Sequence, residues 1–326
     1  MKKDYIYAAT RIHGHEQRLL SELDMERLMA SKSVGECLSL LADKGWRTAG
    51  VSNNAFESIF ALEREKTWQL IEELLGDLSE LNIFLYENDF HNLKAAIKLV
   101  YTREDGRNTE KYFRLPGTIE PKAMLEAVRQ RDFDELPHQM AQAGQEAHNV
   151  LVHTDNGQAC DMIIDKAALL AIDAEGKVSK SELIRYYAKL KVDTANIKAA
   201  VRGCRMGKDE GFLARAIANA GSLNSAALIE AAAKSLEDIY AYLSQTEYAK
   251  VVDALRQSLA AFERWCDNAL MDSIQQQRYE FFTIDPLVAY IIARESEMGM
   301  VRLILSAKVN SLDDAAVRNR WRQTYV

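Results

Sequence analysis

An all-α fold is predicted for this chain, built from three similar helical units of about 100 residues, within the usual size range of domains. Three observations predict it. Apolar residues recur mostly at spacings of three and four, while strand-like alternation is confined to Asn149–Val152. Only four prolines occur, at 116, 121, 137 and 286, leaving long tracts free for helices. Finally, one signature returns at a fixed interval, and a fixed interval dictates architecture.

The signature is Asp89-Phe90-His91-Asn92-Leu93-Lys94-Ala95-Ala96-Ile97-Lys98. It reappears 104 residues later as Asp193-Thr194-Ala195-Asn196-Ile197-Lys198-Ala199-Ala200-Val201-Arg202, with eight of ten columns agreeing in identity or chemical class. A further 104 residues on stands a third copy, Glu297 through Leu305, which keeps the acid (Glu297) and the cation (Arg302) but has Met300 in place of the asparagine. Downstream, Ile119–Leu125 matches Leu223–Ile229, and Leu312–Val317 and Leu23–Met29 extend the set. Lys32–Leu38 echoes Lys234–Tyr240. The division predicted is 1–88 (a half-repeat and a long helix), 89–192 and 193–294 (repeat units), and 295–326 (a partial repeat), with the two terminal pieces candidates to complete one unit.

In chain order, residues 5–20 read as a weakly amphipathic helix, followed by short helices through Met29 and over Val34–Ala42, the latter stopped at Lys44-Gly45. Residues 47–54 form a polar loop with Ser52, Asn53 or Asn54 as the next N-cap. Phe56 through Leu81 carry the stripe of a helix of order 25 to 30 residues, with Trp68 in its buried face. Asp89 and Asp193 are expected to cap the signature helices, Val192 and Ile197 forming a staple at the second. The paired alanines would let a neighbouring helix approach closely. After a charged loop at 102–118 come two short helices around Pro137, a turn at Asn156-Gly157 and a helix over Cys160–Ala174 closed near Gly176. Ser179 or Ser181 caps Leu183–Leu190, and Gly203, Gly207 and Gly211 mark a polar loop. Helices then cover 212–219 and 225–243, and a long one covers about 247–279. Asp285-Pro286 opens the last, with Asp285 as cap.

Asp89, Asp193, Glu297 and Arg302 read as structural members of the signature. For Asn92, Lys94, Asn196 and Lys198 two readings stand: polar residues structuring a packed helix, or a ring of like residues facing a partner around a pseudo-three-fold axis, which Met300 in place of the third asparagine weakens. Composition excludes several functions. A net charge of −7 argues against a nucleic-acid binder. No apolar stretch reaches the roughly 18 residues of a membrane span, and Met1–Tyr5 lacks a signal-peptide core. Cys37, Cys160, Cys204 and Cys266 are widely spaced, which suggests reduced thiols rather than zinc or disulfides. Gly203–Asp209 lacks the spacing and the Ser/Thr of a phosphate loop, and His13 and His15, two apart, cannot share a helix face and read as surface residues. No catalytic, cofactor or metal constellation is expected.

Tyr7–Ile12 with Glu16–Leu20, Tyr86–Lys94, and Asp285–Tyr290 with Arg294-Glu295 together resemble the C-subunit family of V-type (A/V-type) rotary ATPases, whose eukaryotic counterpart is the d subunit. The resemblance covers nearly the whole chain. It implies a non-catalytic, funnel-like protein of three similar helical units with pseudo-three-fold arrangement. Such a protein is peripheral, on the cytoplasmic face of the membrane proteolipid (c/K) ring, and receives the central shaft, made of the D and F subunits. The competing expectation is a general α-helical repeat scaffold for protein–protein interaction, which the 104-residue interval fits poorly, since solenoid repeats run about 30 to 50 residues.

Overall fold

A computed structural model describes residues 5–51, 56–106 and 108–326, and all regular structure among them is helical. The fold is all-α. The helices are α1 (Ile6–Glu16), α2 (Glu22–Ala30), α3 (Val34–Asp43), α4 (Glu57–Leu75), α5 (Tyr86–Thr102), α6 (Pro121–Gln130), α7 (His138–Thr154) and α8 (Gly157–Val178). There follow α9 (Glu182–Arg205), α10 (Glu210–Ala216), α11 (Ser225–Lys234), α12 (Leu236–Leu243), α13 (Val252–Gln257), α14 (Leu259–Gln276), α15 (Asp285–Val309) and α16 (Asp314–Arg318). Two compact units result, one of residues 1–78, 181–184 and 253–326, the other of 79–180 and 185–252.

The first unit is built on α15, which packs against α1, α2, α3, α4, α14 and α16. It is buried on most of its faces, which explains why its sequence shows no clean apolar stripe. Leu28, Cys37, Leu41, Trp46, Ile59, Phe60, Val301 and Ile304 form its core. Ser181 caps α9 by accepting from the Ile184 N–H at 3.0 Å, and its hydroxyl donates to Asp285 at 2.5 Å. These two residues are themselves 104 apart.

In the second unit α5 packs on α6, α7 and α8. Leu93, Ala96, Ile97, Met124, Val128, Phe133 and Cys160 are wholly or almost wholly buried there. Gly144 allows the approach of α7: a Cβ there would stand 2.8 Å from the Phe133 ring. Ala96 and Ala200 are both fully buried, in keeping with the small-residue expectation.

Several boundaries differ from expectation for identifiable reasons. Asn149–Val152 lies inside α7 rather than in a strand. Helix α4 stops at Gly76, whose φ of +69° ends the α conformation, so it is 19 residues long. Gly176 and Gly203 lie within α8 and α9. The span 247–279 is divided at Ser258, which accepts from the Ala261 N–H as the N-cap of α14. Helix α15 begins at Asp285 itself, with Ile284 at the N-cap position. The candidate caps Ser52, Asn53 and Asn54 lie outside the described residues. Trp68 is buried, Gly45 ends α3 with φ +85°, and Ser33 and Ser235 cap α3 and α12 in parallel fashion.

Candidate functional site

The signature acids do not cap their own helices. Helix α5 starts three residues before Asp89, and Asp193 lies deep within the continuous α9, so the Val192–Ile197 pair is no staple but two fully buried core residues. The carboxylates instead hold the segment that enters the next helix. Asp89 accepts from the Thr118 N–H at 2.9 Å, the Thr118 hydroxyl at 2.7 Å and the Ile119 N–H at 3.4 Å, immediately before α6. Asp193 accepts from the Ser222 N–H at 2.9 Å, the Ser222 hydroxyl at 2.6 Å and the Leu223 N–H at 3.4 Å, immediately before α11. Tyr248 adds its hydroxyl to Asp193 at 2.7 Å.

One helical turn on, each asparagine pairs with both polar groups of one backbone residue. Asn92 donates to the Arg114 carbonyl at 2.9 Å and accepts from the Arg114 N–H at 2.7 Å. Asn196 does the same to Ala218, at 2.9 and 2.8 Å. Arg114 and Ala218 lie in irregular backbone, whose groups need partners once buried. The four side chains are at most 1% exposed. Each Asp-x-x-Asn is thus a clamp tying a helix to the loop that returns to it. Glycine precedes both clamped segments: a Cβ on Gly117 or Gly221 would collide with the Asp89 or Asp193 carboxylate.

The third copy clamps across the sequence. Glu297 accepts from the Leu20 N–H at 2.5 Å, and Leu20 precedes Ser21, the N-cap of α2. Leu20 therefore corresponds to Ile119 and Leu223, so the N-terminal copy begins three residues earlier than the expected Leu23, which is 60% exposed. Leu312, expected to open a further copy, is also exposed. In this register His15 corresponds to Arg114 and Ala218. His15 lies in α1, where its carbonyl already accepts from the Arg18 N–H at 3.0 Å. Helical backbone supplies its own partners, so an asparagine has nothing to bond, and Met300 packs into the core instead.

Charge replaces the amide here. Arg294 is 5% exposed and forms ion pairs with Glu297 and, at 2.7 Å, with Glu63 on α4. Its Nε donates to the Thr67 hydroxyl at 3.4 Å, and its guanidinium stands 5.1 Å from the centre of the Trp46 ring. Glu63 also accepts from the Arg47 N–H at 3.0 Å. Burial opposes the Arg294 charge, but Glu297, Tyr290 and Glu63 outweigh it and hold the guanidinium pKa above its ordinary value. At Asp89, burial pushes the carboxyl pKa up against its hydrogen bonds to Thr118 and Ile119.

The cations of the signature reach outward. Lys94 pairs with Asp165 on α8 at 2.6 Å, and Arg302 with Glu57 on α4 at 3.1 Å while covering the Phe60 ring at 4.4 Å. Lys198 is half-buried on α9. His13 and His15 are half-buried rather than surface residues: His13 meets the buried Glu16 at 2.9 Å, and His15 sits edge-on to Tyr290. The four thiols are free, three of them buried. Among the described residues no cluster of three or more His, Cys, Asp or Glu is poised for a metal. Thr118, Ser222, Gly117, Gly221 and the Glu63–Arg294 pair were not singled out from sequence. A visible signal for the first four exists in Gly117-Thr118-Ile119 and Gly221-Ser222-Leu223, at the same 104-residue spacing.

The sequence profile of the ATP synthase (C/AC39) subunit family matches residues 8–320. The chain is 24% identical over 322 residues to the C subunit of the V-type sodium ATPase of Enterococcus hirae, covering 96% of this chain and 97% of that one. It is 24% identical over 337 residues to the C subunit of the A-type ATP synthase of Thermococcus kodakarensis, with coverages of 96% and 89%. With its counterpart in Methanocaldococcus jannaschii the identity is 22% over 348 residues, with coverages of 97% and 85%.

Proposed function

This chain belongs to the ATP synthase (C/AC39) subunit family, and on that premise we propose that it is a non-catalytic central-stalk component of a rotary V/A-type ATPase. In this reading it is a socket that joins the central shaft, made of the D and F subunits, to the membrane proteolipid (c/K) ring, and passes torque between ATP chemistry and ion flow. It sits peripherally at the cytoplasmic face of the membrane, held through protein contacts. Its three repeat units are 89–192, 193–294 and a third assembled from 1–88 and 295–326.

The observation that carries the reading is the end-to-end match to C subunits. Two structural features support it. No helix among the described residues is long and apolar enough to cross a membrane, which suits attachment through partners. The buried polar side chains of the signature are spent on the chain's own backbone, which suits a rigid connector. Grip on partners then falls to spread surface contacts in which a few anchors dominate and charges fix register.

The test is ATP-driven ion uptake into vesicles reconstituted with and without this chain. Omission is expected to stop uptake while ATP hydrolysis by the soluble head continues, and adding the purified chain back is expected to restore uptake. Undiminished uptake in its absence would overturn the coupling role and favour the general scaffold.

A further inference from the structure

The third copy departs from its siblings around one cavity. In the register set by the clamps, Arg18 stands where the other copies have Gly117 and Gly221, and Arg294 stands 104 residues after Leu190 and 208 after Tyr86. Both arginines line a cavity of about 340 Å³ within the first unit, between the end of α1, the segment after α3, and the faces of α4 and α15. That volume lies at the small end of the range for ligand sites, roughly 300–1,000 Å³. His15, Lys44, Trp46, Lys66 and Tyr290 also line it.

The charges around the cavity are unevenly satisfied. Arg294 is engaged by Glu63 and Glu297, and Lys44 by Asp24 at 2.6 Å. Lys66 donates to the Gly45 carbonyl at 2.9 Å and reaches the already paired Glu63 only at 3.5 Å. The Arg18 guanidinium has no side-chain partner among the described residues. One cation is therefore unpaired and a second, Lys66, only loosely held, beside a half-buried imidazole whose pKa is lowered by burial and by the charges of Arg18, Arg11 and Lys66. Asp43 is the one further acid on the wall besides Glu63. The acids that grip Lys44 and Arg294 balance those two charges, so what draws an anion here is the Arg18 guanidinium beside the loosely held Lys66 ammonium. A guanidinium presents paired donors that match an oxyanion, and an ammonium adds a point charge.

We propose that this cavity is a binding site for a small phosphate-class oxyanion, held by Arg18 and Lys66 with His15 as a third donor. The site stands independently of the stalk reading, because it rests on this unit's own side chains.

The probe is inorganic phosphate, titrated into the full chain at neutral pH and low salt by calorimetry, with the imidazole resonances followed in parallel by NMR. The expected result is saturable binding with one site per chain and a Kd of about 1 mM or tighter, with the His15 pKa rising as the anion offsets its cationic neighbours. R18A and K66A are each expected to lose about tenfold in affinity, the worth of one charge-assisted bond. Both residues lie outside the core, so circular dichroism should show both variants folded. Substituting the exposed Lys250, which is not among the cavity's lining residues, by Ala should change nothing. Non-saturable uptake, an equal loss in K250A, or unchanged affinity in R18A would overturn the proposal, and so would saturable binding that leaves His15 unmoved.

Discussion

The clamps of the second unit and the clamp of the first do the same work with different chemistry. Asp89–Asn92 and Asp193–Asn196 each hold a loop 22 to 30 residues downstream, using a short carboxylate and a neutral amide. Glu297 holds a segment 277 residues upstream, uses a longer side chain, and is neutralised by an arginine that a second glutamate also grips. The amide is needed where the held backbone is irregular and dispensable where it is helical. What repeats in this molecule is thus a geometric task, and the residues change when the backbone at the far end of the clamp changes.

The largest expected effect separates the two solutions. Arg294→Leu leaves Glu297 buried without a counter-charge and Glu63 with only Lys66 at 3.5 Å, and breaking a buried pair costs roughly 3–5 kcal/mol. Urea unfolding of this variant should shift by that amount, with hydrogen exchange rising first at the Leu20 amide. An unshifted transition would mean that charge is incidental to the third clamp. Next come the amides. Asn196→Leu orphans one buried N–H and one buried C=O at Ala218, at about 2–3 kcal/mol, and Asn92→Leu, whose partner Arg114 is exposed, should cost less. Exchange should accelerate at Ala218 in the first variant and at Arg114 in the second. The reverse change, Met300→Asn, should not stabilise but cost about 1–3 kcal/mol, as a buried amide without partners. A gain would show that the third copy does have a backbone to clamp.

The smallest effect is in pH. The Asp89 pKa is raised by burial, so its contribution to stability is full below the ordinary aspartate range and is lost as pH rises through the raised folded value. Asp24 behaves oppositely. Burial pushes its pKa up, but hydrogen bonds from Lys44 and Ser21 prevail and lower it. Its contribution is therefore present above the unfolded value and lost as pH falls through the depressed one. Carboxyl NMR titration should place Asp89 above Asp24, and the opposite order would remove burial as the governing influence at the clamp.

The all-α class was legible in the sequence from the spacing of apolar residues, and the 104-residue period matched Asp89 with Asp193 and Asn92 with Asn196 without any knowledge of contacts. The bonding was less legible. An aspartate before an apolar run reads as an N-cap, and nothing local in Asp193 reveals that the preceding helix continues through it. Its true partners, Ser222 and Leu223, are 29 and 30 residues away. The N-terminal register slipped by three because Leu20 and Leu23 are equally plausible as core residues, and only the Glu297 bond decides between them. The Arg294–Glu63 pair was invisible for the same reason: its partners are 231 residues apart.

That separation changes how the molecule bears load. A clamp spanning 29 residues fastens a loop to its own stem and acts as a hook. The bond from Glu297 to Leu20 fastens the late part of the chain to the early part and turns the intervening 277-residue span into a hoop. Closing that larger circuit costs about 2 kcal/mol more in chain entropy than closing the small one, since the penalty grows only with the logarithm of length. A hook straightens when pulled from one side. Closing the hoop joins the early and late parts of the chain, and here the bond shares that task with the packing of α15 on α1, α2, α3 and α4, so both must yield before the two parts separate. In this chain the bond that closes it belongs to the clamp reinforced by ion pairs.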